Sequence, residues 1–419
     1  MAIKSPGRRA YAIELFFESL AAADLPAVFA MVGDLPSRDA RFELMLPLMT
    51  RWGELDPAAA LAATAKIRAQ DRAQAQFQVY TSWAKSDPHA AWEAARAALA
   101  ESGVGVFPGG GALRELARVD ISGAIDSAAG MTSEIARAAC RSAIIDAAAE
   151  NGTLDAVAKT VLQGVPSEQR AAWIRELYSR WGSIDTESPM DALRSLSDPT
   201  LARSAMSGLV AGWSQLDPKG AMEFIVDNRN DPLLAGSFES AIGSASCLLS
   251  EPEIRDIVTS IRAKGDADQL MPQIARSILV NHPALAMDLA DTIPDGAPVV
   301  DMTMSFWAGN DFTAAAEYYE HMPDSPTKVK AFNRISSNAL QQNEGPATVA
   351  RWLTMFSGAD RVTAAESAIS SLADYQRTAP KPFTPDAIAG LAQAVAETPD
   401  LPPSALEQAR KFLSPPPTP

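Results

Sequence analysis

The chain has 419 residues, 47% of them hydrophobic, enough apolar surface to fold and more length than one compact core normally takes. Its 36 basic and 51 acidic residues leave a formal charge of −15. That sign opposes general nucleic-acid binding and docking on anionic membranes, both of which need clustered Lys and Arg. Two distant cysteines, Cys140 and Cys247, and three scattered histidines, His89, His282 and His321, exclude a disulfide scaffold and offer no histidine-rich zinc motif.

The first nine residues are basic, but no signal-type apolar run follows them. The stretch from Leu15 to Met31 carries Glu18, Asp24 and Pro26, so it falls short of the roughly 18 uncharged residues of a membrane helix. No membrane insertion is expected, and the cytoplasm is the expected compartment, or the cell envelope if a leader has been trimmed.

From Leu20 onward one mark recurs. Trp52, Trp83, Trp181, Trp213 and Trp307 are each followed four residues later by an aspartate: Asp56, Asp87, Asp185, Asp217 and Asp311. Proline follows Asp56, Asp87 and Asp217. The gaps in this series hold weaker copies: Leu20 to Asp24, Leu116 to Asp120, Ala148 to Gly152, Cys247 to Glu251, Ile278 to His282 and Gln341 to Gly345. The mark therefore repeats about every 32 residues. Breakers run at the same period in another phase, at Pro166, Pro199, Pro232, Gly265, Gly296, Pro326 and Gly358.

Two punctuations per period leave two segments of about a dozen residues, the length of short helices and too long for typical strands. Asp before Pro starts a helix well, because the carboxylate caps an open N–H and Pro has none to lose. In the unit at Trp181 the cap is expected to slip to Ser188-Pro189. Four residues after the cap comes alanine in most units (Ala60, Ala91, Ala124, Ala156, Ala192, Ala221, Ala286, Ala315), and seven after it an apolar residue such as Met31, Val258, Leu289 or Trp352. That spacing is one helix face, on which alanine lets neighbours approach closely.

This pattern resembles the tetratricopeptide-like α-solenoids, particularly bacterial repeat proteins built on W-x-x-x-D-P-x-x-A units. The resemblance covers roughly residues 12–375. It implies an all-α fold: a right-handed superhelix of about eleven antiparallel helix-turn-helix repeats that serves as a binding scaffold. The W-x-x-L-G-x-x-Y signature of the tetratricopeptide unit is missing.

The expected layout is a repeat body over 1–376, capping helices over 377–413 starting near Thr384-Pro385 and Pro402-Pro403, and a Pro-rich tail over 414–419. A glycine-rich interruption over 102–111 should replace part of one helix with a loop. It lacks the G-K-[ST] of a phosphate loop and the βαβ setting of a dinucleotide fingerprint.

The anchor tryptophans read as packing between repeats, and Asp56, Asp87 and Asp217 as caps. Trp92 and Trp173 fall off the anchor phase and, with Arg175, are the expected partner contacts. Arg51, Arg170, Arg175 and Arg180 could line a groove for an acidic peptide, or form a solvated face. No catalytic, cofactor or metal residues are read. The expected function is a non-enzymatic scaffold or adaptor holding a protein or peptide. The alternatives are an enzyme on a helical toroid with an acidic pocket, or an accessory subunit of a larger complex.

Overall fold

The computed structural model describes residues 6–102, 108–234, 237–265, 267–294, 296–342 and 344–413. Half of the glycine-rich interruption (103–107) and the Pro-rich tail (414–419) lie outside the described residues. The described residues are all-helical, with no strand. None of their helices is long and apolar enough to cross a membrane. Contacts divide the chain into two compact units, Met1–Leu216 and Asp217–Pro419.

The first unit holds α1 (Pro6–Glu18), α2 (Leu25–Gly33), α3 (Arg38–Leu55), α4 (Pro57–Thr64), α5 (Ala69–Ala84), α6 (Pro88–Ser102), α7 (Gly110–Val119), α8 (Ile121–Ala129), α9 (Glu134–Asn151), α10 (Leu154–Gly164), α11 (Ser167–Gly182), α12 (Glu187–Arg194) and α13 (Pro199–Leu216). The second holds α14 (Pro218–Asp227), α15 (Phe238–Ser246), α16 (Glu251–Ala263), α17 (Ala267–Ile278), α18 (Pro283–Ala290), α19 (Ala297–Asn310), α20 (Phe312–His321), α21 (Pro326–Ala339), α22 (Gly345–Leu353), α23 (Gly358–Thr378), α24 (Pro385–Ala396) and α25 (Pro403–Leu413). In the first unit α3, α5, α7, α9, α11 and α13 pack each on the next. In the second α15, α17, α19, α21 and α23 do the same. The even-numbered helices pack on odd-numbered neighbours, and α8 with α10, α14 with α16 and α22 with α24 also pack on each other.

The Trp-x-x-x-Asp spacing has a direct physical origin. The Asp56 N–H donates to the Trp52 carbonyl at 2.8 Å, the last α-helical bond of α3. The Asp56 carboxylate then accepts from the Ala59 N–H at 3.0 Å and starts α4. The same two bonds recur at Leu116/Asp120 and Trp307/Asp311, with the carboxylates accepting at 2.9 and 3.0 Å. Asp87 and Asp217 cap α6 and α14 at 3.0 and 2.9 Å. Asp56, Asp120, Asp217 and Asp311 share one backbone geometry, with φ between −150° and −139°.

Other copies depart from this, three of them as follows. Asp24 occupies the cap position of α2 but its carboxylate accepts from the Ala21 N–H instead. The expected slip to Ser188-Pro189 is smaller than anticipated: α12 begins at Glu187, and Asp185 still accepts from the N–H groups of Glu187 and Ser188 at 3.0 and 3.2 Å. At Gly152 the chain turns through φ 66°, and the Thr153 N–H closes α9 on the Ala148 carbonyl at 2.8 Å.

The cap alanines Ala60, Ala91, Ala124, Ala221, Ala286 and Ala315 are fully buried. Ala156 and Ala192 are half-buried. Of the residues seven after a cap, Val258, Leu289 and Trp352 are buried, whereas Met31 is 61% exposed. The reason is that α2 packs chiefly on α3, which leaves its far side open.

A third periodic mark emerges only in three dimensions. Near the start of five odd-numbered helices a basic side chain folds back onto the carbonyls left open at the end of the preceding even one. Arg41 donates to Leu35 and Pro36, and Arg72 to Thr64, Ala65 and Ile67 at 3.1–3.2 Å. Arg137 reaches Met131 at 2.6 Å, Arg170 reaches Val165 at 2.7 Å, and Lys328 reaches Met322 at 2.8 Å. Apart from Thr64, the last residue of α4, the accepting carbonyls belong to the C-cap or to the turn just beyond it, so each clamp ties that turn to the helix that follows.

Two seams between odd-numbered helices are closed differently. Between α11 and α13 the backbones themselves meet. A Cβ on Gly208 would lie 2.1 Å from the Arg175 carbonyl oxygen, and one on Gly212 would lie 1.9 Å from that of Ser179. Between α19 and α21 side chains do the work. Arg334 grips Asp301 with two bonds of 3.0 and 2.9 Å, above buried Val300, Met304 and Phe332. Elsewhere, ion pairs join adjoining pairs of helices: Arg118 with Glu150 at 2.9 Å, Arg180 with Asp146 at 3.2 Å, and Arg255 with Asp288 at 3.2 Å. Gln169 reaches back to the Ala129 carbonyl, 40 residues away.

Candidate functional site

The expected contact tryptophans are core residues. Trp92 is 1% exposed and Trp173 is 2% exposed. Trp173 lies in a stripe with Ile174, Leu177 and Tyr178, all buried on α11, and Trp92 lies beside buried Ala91 and Ala95 on α6. The anchors show the opposite trend. Trp52 is buried, but Trp83, Trp181, Trp213 and Trp307 are half-buried. They sit in the last turn or two of their helices, where the chain is already leaving the packed face.

Arg175 is exposed on α11 and forms no ion pair among the described residues. The other arginines weighed for a groove are engaged. Arg51 bonds the Leu20 carbonyl and Glu54, Arg170 clamps Val165, and Arg180 holds Asp146. The structure does not bring these four together into one site. His282 donates from Nε2 to the Leu249 carbonyl at 2.9 Å, His321 from Nδ1 to Glu317 at 2.7 Å, and His89 is exposed. Of the glycine-rich segment, Gly109 stands at the start of α7, and a Cβ on Gly111 would collide with Thr81 of α5.

The groups with displaced pKa values report packing and ion pairing. Burial pushes the Cys140 thiol and the Tyr178 hydroxyl up to about 12. Burial, then the 2.8 Å bond to Asp288, raises Tyr318. The Arg114 and Arg118 guanidinium groups hold Glu150 below the usual carboxylate range, and Arg334 does so for Asp301. Among the described residues no cluster of three or more His, Cys, Asp or Glu could hold a metal ion.

The best-formed combination of recess and chemistry lies at α2, α3 and the α4–α5 turn. It measures about 350 Å³. Its floor is apolar: Phe29, Phe42, Met45, Leu46 and Ile67. Its rim carries Arg38, Arg41, Lys66 and Arg68 against Asp34 and Asp71. Arg41 is held by its clamp, and Arg38 faces Asp71 at 3.5 Å. Lys66 and Arg68 are exposed and form no ion pair among the described residues.

The repeat itself explains why the recess is here. The residue after the clamp is alanine at Ala73, Ala138 and Ala171 and valine at Val329, but phenylalanine at Phe42, which is 42% exposed. Sequence reasoning passed over this site because the clamp phase was not recognised. Aligned on Arg41, Arg72, Arg137 and Arg170, the exchange of Ala for Phe is visible in the sequence alone. Two other recesses occur in the same unit. One between α1 and α3, of about 440 Å³, is ringed by Glu14, Glu18, Glu43 and Glu54. A smaller one, of about 260 Å³, lies over Asp146, Glu176 and Arg180.

No family model and no curated protein matches this chain.

Proposed function

We propose that this protein is a non-enzymatic scaffold or adaptor that holds a partner protein or peptide on the surface of a helical-repeat stack. In this reading about eleven helical pairs of some 32 residues wind as a right-handed superhelix over 1–376. The helices within 377–413 cap it, in the manner of the W-x-x-x-D-P-x-x-A repeat proteins it resembles. Support comes from odd-numbered helices packing each on the next within each unit and from ion pairs that recur at one-repeat spacing.

The observation that carries the reading is the α2–α3 recess, where an apolar floor meets Lys66 and Arg68, two exposed cations with no ion pair among the described residues. Arg175 is a second exposed contact on the same unit. Solution scattering tests the architecture: an elongated, curved particle is expected, and a compact ring with a central funnel would reject it. Cross-linking of the tagged full-length chain in its native host tests the scaffold role. Cross-links from a stably retained protein to the first unit are expected, and a chain recovered without any partner would reject it.

A further inference from the structure

We propose that the α2–α3 recess takes an acidic peptide segment which inserts one or two apolar side chains between Phe42 and Ile67; this rests on the scaffold reading and names its ligand. Three features converge. First, the floor offers Phe29, Phe42, Met45 and Leu46 to an apolar side chain, in a cavity of about 350 Å³, enough for one or two such groups and too small for a folded domain. Second, the rim sets four cations against two carboxylates in a chain whose formal charge is −15. A local reversal of sign attracts a ligand of the opposite charge and orients it as it arrives. Third, the first turns of α3 and α5 border the recess at Arg38 and Asp71, and helix N-termini add positive potential.

The two kinds of contact divide the labour. Carboxylates on Lys66 and Arg68 set the orientation and the on-rate, while the buried apolar group sets residence time. A polyanion without apolar groups would leave Phe42 and Met45 wet. That favours a peptide over a nucleic acid.

The test uses a short fluorescein-labelled peptide rich in Asp and Glu around a central Leu-Phe pair, titrated by anisotropy into the full-length protein. Binding is expected to weaken as salt rises. Phe42→Ala and the pair Lys66→Glu with Arg68→Glu are each expected to weaken it about tenfold or more. The pair Lys330→Glu with Lys381→Glu, the same charge change at two exposed sites of the second unit, should leave it unchanged. Circular dichroism checks that the variants fold, which exposed positions should permit.

Equal binding of a Ser-Ser version of the peptide, or of a single-stranded oligonucleotide, would overturn the proposal. So would affinity that survives Lys66→Glu with Arg68→Glu. A concentration-dependent dimer in sedimentation that Phe42→Ala dissolves would assign the recess to a second copy instead. If the peptide fails while cross-links to a retained partner persist elsewhere on the unit, the ligand assignment falls and the scaffold reading stands.

Discussion

The α11/α13 and α19/α21 seams solve one problem in two ways. In the first, Gly208 and Gly212 bring backbone against backbone, with the Arg175 and Ser179 carbonyls about where a Cβ would stand. In the second, the gap is spanned by the Arg334–Asp301 pair over buried side chains. A stack of helices needs only that each odd-numbered helix find its neighbour, and the means can differ. The difference lies in tolerance: a backbone contact has no rotamer to change, whereas a side chain can swing away.

The largest effect should come from the core of α11. Trp173→Ala should cost about 3–5 kcal/mol in urea unfolding, and the half-buried Trp181→Ala distinctly less. Equal losses would mean that burial does not rank these rings as their positions indicate. Next, Gly212→Val should cost about 3 kcal/mol, at the upper end for an overpacked contact. An undisturbed melting curve would show that the seam is looser than the backbone positions imply and would dissolve the contrast.

Removing a cap acts on the turn rather than on either seam. Asp56→Ala and Asp217→Ala should each cost about 0.5–2 kcal/mol, measured against the same baseline. Smallest is the ion pair of the side-chain seam: Arg334→Ala should cost about 0.2–1 kcal/mol, because both partners are half-exposed. Its signature is in pH. Arg334 lowers the Asp301 pKa, so the pair's contribution is complete above the unfolded value of about 3.9 and disappears as pH falls through the folded one. In Arg334→Ala that acid-range slope should vanish, and a carboxyl resonance that still titrates low would point to another cause.

Much of the fold was legible because its punctuation is chemical. Trp52 and Asp56 are four apart since a helix ends with an N–H bonding four residues back, and the following N–H groups need an acceptor. Pro199 and Pro326 open helices because they lack a donor. None of this depends on what lies across the seam. Burial does depend on it, and there the sequence misled. Trp92 and Trp173 looked outward because they miss the anchor phase, yet each joins a second stripe packed on another helix. Gly208 and Gly212 carry no hydrophobic signal, so an apolar-periodicity reading cannot see the backbone contact between α11 and α13. The recess was legible only in part: Phe42 is visibly exceptional once the Arg41 phase is known, but Lys66 and Arg68 become its rim only through the α4–α5 turn.

The short reach of the bonds has a mechanical consequence. The longest one described here links Gln169 to Ala129 across 40 residues, and the other long-range ones join one pair of helices to the next. Tension applied at the termini would therefore be relieved in discrete steps, each releasing about 32 residues, or roughly 100 Å of extended chain. An optical trap would record a sawtooth of even teeth, broken where the glycine seam holds α11 and α13 together longer than their neighbours.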